Sequence, residues 1–439
     1  MSKKRAVITL CLVSVITALA LIFSFISFDV AGKNYRYVGF AQAIYKGIEY
    51  DGGVYADYTA TRPEDMSDED FNAKLEDTFK RVESILSTKN INNAFISKTS
   101  DGGIRIEAPA KDDTSDVLLT IGAGVLKIRT SSDSTATPII TGENVTAAFA
   151  TQLQTSSYAY QWGAYIAFDD TAKAVLADKT SNAANSAVTL YMFRGDSESA
   201  FFSISISEKI EDGFMFISSS SMSQNYAEEL AIQMYCGSTP LTLNTVGNQV
   251  NTIGPSMGRS ALLLTSIALL ALIVAVIIFY VVRYREFGLM LSLSTLLYVG
   301  LMLFLLQTIT LFEISIAGVA GVLLSFLLFA ASNIIPMEKV KEEYAKGKKI
   351  PAAVKAGYKK SYGLVVDFTV VAFVTSLLCY FIGTAALKTF AIALLVGCLL
   401  SVVVSLVISK SLVDCHVVYN KTNEKRVNLK REEGIDEIG

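Results

Sequence analysis

Two stretches of the 439-residue chain place polar side chains inside otherwise apolar runs. In "LLFAASNIIPMEKVKEEYAKGKK", Leu327 to Lys349, the run holds Ser332, Asn333 and Pro336 before it turns into lysines and glutamates. In "VVDFTVVA", Val365 to Ala372, it holds Asp367 and Thr369. A carboxylate at the middle of a membrane span costs about 2.5–3.5 kcal/mol on insertion scales, so one kept there usually serves function. Asp367 either titrates within the span, or it snorkels to the surface or pairs with Lys359 or Lys360 and fixes packing. Asn333 is either its hydrogen-bond partner or interhelical glue. Glu313, near the other end of the first run, is expected at the interface and solvated.

Other chemistry is thinly supplied. His416 is the only histidine, and no CxxC, HExxH or GKS/T pattern occurs. No metal site, catalytic residue or cofactor is expected, and the chain does not read as an enzyme. "GIEYDGG" and "SDGG" lack a following helix start with Lys-Ser/Thr, so they read as turns and not phosphate cradles. "ENVT" at Asn144 matches a glycosylation acceptor, a pattern common by chance. Tyr158, Tyr160 and Trp162 share one face of a strand at period two. That face either packs a sheet on its helices or offers a sequence-tolerant surface to an unfolded peptide.

The elements that must position these residues follow from hydropathy. Apolar runs long enough to cross a bilayer cover roughly 6–28, 260–282, 287–309, 314–335, 362–382 and 389–412. The first exceeds a signal-peptide core, lacks a clear cleavage site, and reads as a retained anchor. Lys and Arg cluster at "SKKR", at "RYRE", across 339–360 with eight lysines, and in the tail after Leu412. With six spans all of these fall on one side, taken as the cytosol. The expected organisation is an anchor helix at 1–29, an extracytoplasmic domain at 30–258, five spans over 259–412 with a cytosolic loop at 337–361, and a cytosolic tail at 413–439.

The domain at 30–258 holds 28 acidic and 17 basic residues, net −11, which argues against nucleic acid as a partner. Cys236 is its only cysteine, so no internal disulfide can form and the domain must stand on its core. "SDEDFNAKLEDTFKRVESILS", "DDTAKAVLADKT" and "SQNYAEELAIQMYCG" read as helices, the last ending at Gly237 as a C′ residue. "NYRYVGFAQAIYKGIEYDGGVYADYTA" reads as extended chain. "NNAFISKTSDGGIRIEAPA" reads as a hairpin around 101–103, and "YAYQWGAYIAF", "AVTLYMFRG" and "FFSISIS" as strands. The alternation points to an α+β domain, ferredoxin-like and two-lobed, with a lobe junction near 131–139.

Several motifs, in this order along nearly the whole chain, resemble the SecD family of the RND superfamily. They are "GIEYDGGVYADY", "GIRIEAPA", "ITGENVTAA", "YCGSTPLTL", "IGPSMG", "MEKVKEEYAKGKKIPAAVKAGY" and "KTFAIALLVGCLLS". The resemblance implies half of an RND-type unit: six spans that pair with a SecF-type subunit, associate with the SecYEG channel and contact membrane lipid. It implies an extracytoplasmic domain that holds unfolded preproteins during export, and movement driven by the proton-motive force. It places the chain in the bacterial plasma membrane with both termini cytosolic.

The family's fourth-span aspartate falls here on Ala331, which cannot titrate, and its asparagine on Asn333. In the fifth span Asp367 matches an aspartate and Thr369 replaces an asparagine. Asp367, Asn333 and Thr369 are therefore the proton-path candidates, and Tyr158, Tyr160 and Trp162 the preprotein-contact candidates. The missing acid leaves two alternatives beside a proton-coupled subunit: a non-motor scaffold that only holds chains, or an RND-like exporter of lipids or hydrophobic small molecules.

Overall fold

The structure, a computed structural model, describes residues 3–29, 36–62, 66–89, 91, 94–99, 103–111, 113–156, 159–219, 221–258, 260–309, 311–383, 385–420 and 426–431. It divides into two compact units, Gly52–Gly254 and the remainder, Met1–Asp51 with Pro255–Gly439. The packing boundaries thus differ from the expected 30 and 258. The stretch before Gly52 is not extended throughout: short helical turns occupy Phe40–Ala43 and Ile48–Asp51. Backbone bonds from Gly47 N–H to the Ile314 carbonyl (2.8 Å) and from Ile314 N–H to the Tyr45 carbonyl (2.7 Å) tie this stretch to the helical unit.

The α+β unit runs β1 (Gly53–Ala60), α2 (Asp68–Thr88), β2 (Phe95–Lys98), β3 (Ile104–Pro109), α3 (Thr114–Ile121), β4 (Leu126–Arg129), β5 (Ile140–Thr141) and β6 (Val145–Ser156). It continues with β7 (Ala159–Phe168), α4 (Asp170–Lys179), β8 (Val188–Arg194), β9 (Phe202–Ile206), β10 (Phe214–Ser218), α5 (Gln224–Cys236), β11 (Leu243–Thr245) and β12 (Asn251–Ile253). The first sheet has strand order β11-β1-β3-β2, with β12 also on β1. All of its pairings are antiparallel. Together with α2 and α3 this is the βαββαβ ferredoxin-like arrangement, with everything from β4 to α5 inserted before its last strand. The insertion builds the sheets β9-β8-β4-β5 and β10-β7-β6.

Local chemistry accounts for the helices. Ser67, Asp169 and Ser223 cap α2, α4 and α5 by accepting from backbone N–H groups three residues on. Asp68, Glu69 and Asp70 favour the positive end of α2. Gly237 does close α5, but its φ is −78°, outside the left-handed region. What it supplies is space, since a Cβ would come 2.7 Å from that of Leu126 and 2.9 Å from Nη1 of Arg194. The segment at 131–139, expected as the lobe junction, connects β4 to β5, which pair as a hairpin. One hydrophobic core runs on either side of it, from Val54 to Leu243. Asn144 is occupied locally: its amide donates to Asp169 at 3.0 Å and its Oδ1 accepts from Thr141 N–H.

The helical unit begins with α1 (Lys3–Phe25) and resumes with α6 (Ala261–Tyr284), α7 (Glu286–Thr308), α8 (Ile316–Ala345), α9 (Ile350–Ile382), α10 (Ala385–Val402) and α11 (Lys410–Asn420). A π-helical stretch, Val403–Ser409, joins α10 to α11 into one long element. Among the described residues, six helices are long and apolar enough to cross a membrane. The expected loop at 337–361 is mostly helix. α8 runs through the buried Pro336 to Ala345, α9 starts at Ile350, and only 346–349 turn between them. Helix also extends past Leu412 to Asn420. His416 Nε2 lies 3.0 Å from Glu286 Oε2.

The short α8–α9 turn is held by charge. Glu343 is 1% exposed and accepts from Lys360 Nζ at 2.6 Å and from Lys348 Nζ, with Lys346 Nζ at 3.6 Å. Gly347 takes φ +94°, which a residue with a Cβ rarely adopts.

Candidate functional site

The polar residues singled out in the spans do not converge. Asn333 is fully buried; its amide donates to the Phe329 carbonyl at 3.2 Å, while Oδ1 has no hydrogen-bond partner. Beside it the Tyr280 hydroxyl of α6 donates to the Ala330 carbonyl at 3.1 Å. Thr369 is buried and bonds back to the Val365 carbonyl of its own helix at 2.7 Å. Asp367, two residues earlier, is exposed on the unit's surface. An α-helix turns about 100° per residue, so positions two apart face nearly opposite ways.

Asp367 makes no ion pair or hydrogen bond among the described residues, and Lys360 is engaged by Glu343. It lies on an uncovered apolar stripe of α9 with Val370, Val371, Val374 and Leu378. α8 has a matching stripe: Ile316, Leu324 and Leu327 are exposed, and the partly exposed Ala331 follows four residues on. The two positions that could bear carboxylates thus lie on outward faces of adjoining helices, while Asn333 and Thr369 face inward. Glu313, expected in solvent, is instead fully buried.

The interior of the helical unit is rich in hydroxyls. Ser409 donates to Ser294 at 2.8 Å, Ser315 and Thr389 are 2.9 Å apart, and Tyr298 donates to Ser325 at 3.3 Å. Ser405, within the π-helical stretch, is buried with no partner for its Oγ. π-Helical segments recur at functional positions.

In the α+β unit, Tyr158 lies outside the described residues. Tyr160 is 63% exposed and Trp162 partly buried. They share strand parity with the buried Ala164, Ile166 and Phe168, so their face is the core face, carried beyond the core's edge. A row of further aromatics lies on the other face. Phe149 of β6, Tyr165 of β7 and Phe214 of β10 form a row with ring centroids 5.0 and 5.3 Å apart, and Phe149 and Phe214 are over 40% exposed. They lie on three separate strands, and only the cross-strand register brings them together.

Residues 238–417 match the family model for the C-terminal part of the protein export membrane proteins SecD and SecF. The protein translocase subunit SecD of Acidaminococcus fermentans is 25% identical over 380 residues, 86% of this chain and 87% of that protein. The SecD subunit of Rickettsia prowazekii is 29% identical over 197 residues, 44% of this chain and 37% of its own length. Among solved structures, SecDF in its super-membrane-facing form superposes with a TM-score of 0.69 at 20% identity, covering 93% of this chain and 57% of that one. SecDF of Thermus thermophilus, described as a translocon-associated membrane protein, gives 0.51 at 19%, covering 95% and 60%. The chain spans under two thirds of either SecDF chain, and at such identity those two likenesses speak for the fold alone.

Six helices among the described residues that are long and apolar enough to cross a membrane, with an α+β unit between the first and second in the chain, define the class: a polytopic membrane protein with the fold of SecDF. Residues 238–417 match the SecD/SecF C-terminal family, and the SecD subunits similar to the chain support a SecD-type protein.

Proposed function

We propose that the chain is the SecD-type half of a protein-export assembly. In this reading a SecF-type subunit packs on the uncovered stripes of α8 and α9 beside the SecYEG channel. The α+β unit projects outside the plasma membrane, both termini are cytosolic, and the exposed row of Phe149, Tyr165 and Phe214 contacts unfolded preproteins. The clustering of Lys and Arg at one end of the spans supports the orientation.

The observation that carries the reading is Asp367. An unpaired carboxylate at the start of an apolar stripe is costly against lipid, by up to about 2.5–3.5 kcal/mol, the mid-span figure. A partner surface that offers it a donor or a cation removes much of that cost. With Ala331 unable to titrate, Asp367 is the acid left on the partner face for coupling to proton flow. One charge crossing 100 mV releases about 2.3 kcal/mol, enough to bias a two-state motion.

The test is pulse-chase export of a secreted reporter in cells depleted of the protein and complemented with wild type or Asp367→Asn. Slow export with Asn, at normal level and insertion, assigns Asp367 a part in coupling. Export at the wild-type rate would instead favour the reading that Ala331 itself suggests, a subunit that holds chains without driving them. Failure of wild type to restore export would sink the translocase reading altogether.

A further inference from the structure

α6 packs unlike the other spans. Its buried residues are Ala261, Tyr280 and Tyr284, all near its two ends. Over the turns next to its N-terminus it stands away from α7 and α8, and the gap is a cavity of about 380 Å³. Leu269 and Ile273 of α6, Met302 and Leu306 of α7, and Val322 and Phe326 of α8 form its walls. That volume is in the range of small-ligand sites, about 300–1,000 Å³.

The lining specifies the chemistry of the occupant. Its hydroxyls are already engaged: Ser266 donates to the Leu262 carbonyl at 2.8 Å, Thr265 lies 3.2 Å from the Tyr50 hydroxyl, and Tyr298 bonds Ser325. Nothing in the wall is left to hold a polar ligand, and an apolar cavity of this kind does not retain water. Left empty, it would forfeit the contacts of every side chain that lines it. Two lining residues, Ile267 and Leu270, are also more than half exposed, so the wall is continuous with the surface that α6 turns to the bilayer. The end beside the N-terminus of α6 is closed by the strap at 39–51, whose Ala41 and Ile44 line the cavity.

We propose that the cavity holds one acyl chain of a membrane phospholipid, which enters sideways past Ile267 and Leu270. Its headgroup stays outside the cavity, at the bilayer surface beside the N-terminus of α6. In the orientation proposed above this lipid belongs to the outer leaflet. The inference itself needs only that these helices lie in a bilayer, so it stands or falls separately from any role in export.

The test uses the full chain in vesicles of phosphatidylethanolamine and phosphatidylglycerol doped with a phospholipid bearing a diazirine in its acyl chain. After irradiation, labelled residues are mapped by mass spectrometry. Expected is labelling of Leu269, Ile273 and Val322 several-fold above Leu263 and Leu264, which are exposed on α6 but do not line the cavity. Val322→Phe, and separately Met302→Phe, should reduce the cavity labels several-fold and leave those on Leu263 and Leu264 unchanged. Cavity labels no stronger than the surface ones on the wild-type chain overturn the proposal, whatever the variants do. Unchanged cavity labels in both correctly inserted variants overturn it too. So does a photoreactive hydrophobic peptide that labels these positions while the lipid does not.

Discussion

Arg194 carries a positive charge into the interior of the α+β unit, and no carboxylate among the described residues pairs with it. The side chain is 5% exposed, and its guanidinium donates to the carbonyls of Thr120 and Gln233, in the last turns of α3 and α5. Its Nε has no partner. Burial lowers the guanidinium from its ordinary value to about 10, which at 1.36 kcal/mol per unit weighs against the buried charge by roughly 3 kcal/mol. Two hydrogen bonds from a charged donor oppose this with about 1.5–3 kcal/mol each. A cation at two helix C-termini adds about 0.3–1 kcal/mol for each end. The balance favours the guanidinium by ~2 kcal/mol, and Arg194→Met is expected to destabilise the unit by about that amount. Trp162, the chain's only tryptophan, lies in the same unit and reports its unfolding. With a urea slope of about 2 kcal/mol per M, the midpoint of the solubilised chain should fall by about 1 M. An unchanged or higher midpoint would refute the reasoning, because desolvation would then outweigh the hydrogen bonds, as it does where buried ion pairs are improved by apolar replacements.

Glu343→Ala removes the acceptor shared by Lys348 and Lys360 and leaves those lysines near Lys346; trypsin is expected to cut the α8–α9 turn faster than in wild type. Cys236 is fully buried and burial pushes its thiol up to about 12, so a maleimide at pH 8 should leave it unmodified in the folded chain and modify it in urea. Asp57 accepts from Arg105 at 2.6 and 2.8 Å, which holds its carboxyl below the ordinary value. A lowered value in the folded state means the stabilisation is complete above the unfolded value, about 3.9, and is lost as pH falls through the folded one. With both side chains about a third exposed, Asp57→Asn should cost no more than about 1 kcal/mol at pH 7. In acid-titrated urea melts that gap should close below about pH 4.

How far the sequence speaks depends on whether a signal is local. The helices α2, α4 and α5 were legible because their apolar periodicity is local and needs no distant partner. The path of α8 through Pro336 was not. A proline removes one ladder bond and crowds the carbonyl four residues back, which breaks or kinks a helix, yet here the residue is packed inside the unit and the helix continues. The exposed row of Phe149, Tyr165 and Phe214 depends on the register of three strands, which no single stretch encodes. Glu313 looks like an interface residue from hydropathy, yet the fold buries it. The opposition of Asp367 and Thr369 was readable in principle, since two residues on a helix lie about 200° apart. Following the family's pattern of adjacent polar positions obscured that phase.

The same phase bears on what Asp367 can do. A titratable group drives a conformational change only to the extent that its two protonation states stabilise two arrangements differently. Were Asp367 enclosed among the chain's own polar groups, those groups would fix that difference. Instead, the hydroxyls and Asn333 lie on the inner sides of α8 and α9, and Asp367 and Ala331 on the outer ones. Under the proposed pairing, the surface laid against α9 therefore decides whether the aspartate is ionised. A donor or cation there favours the charged form, and an apolar surface the neutral one. Ala331, on the neighbouring stripe, adds no second carboxylate to that face. Any coupling is then a property of the pair, and the response of Asp367→Asn should change when the facing surface of the partner is mutated.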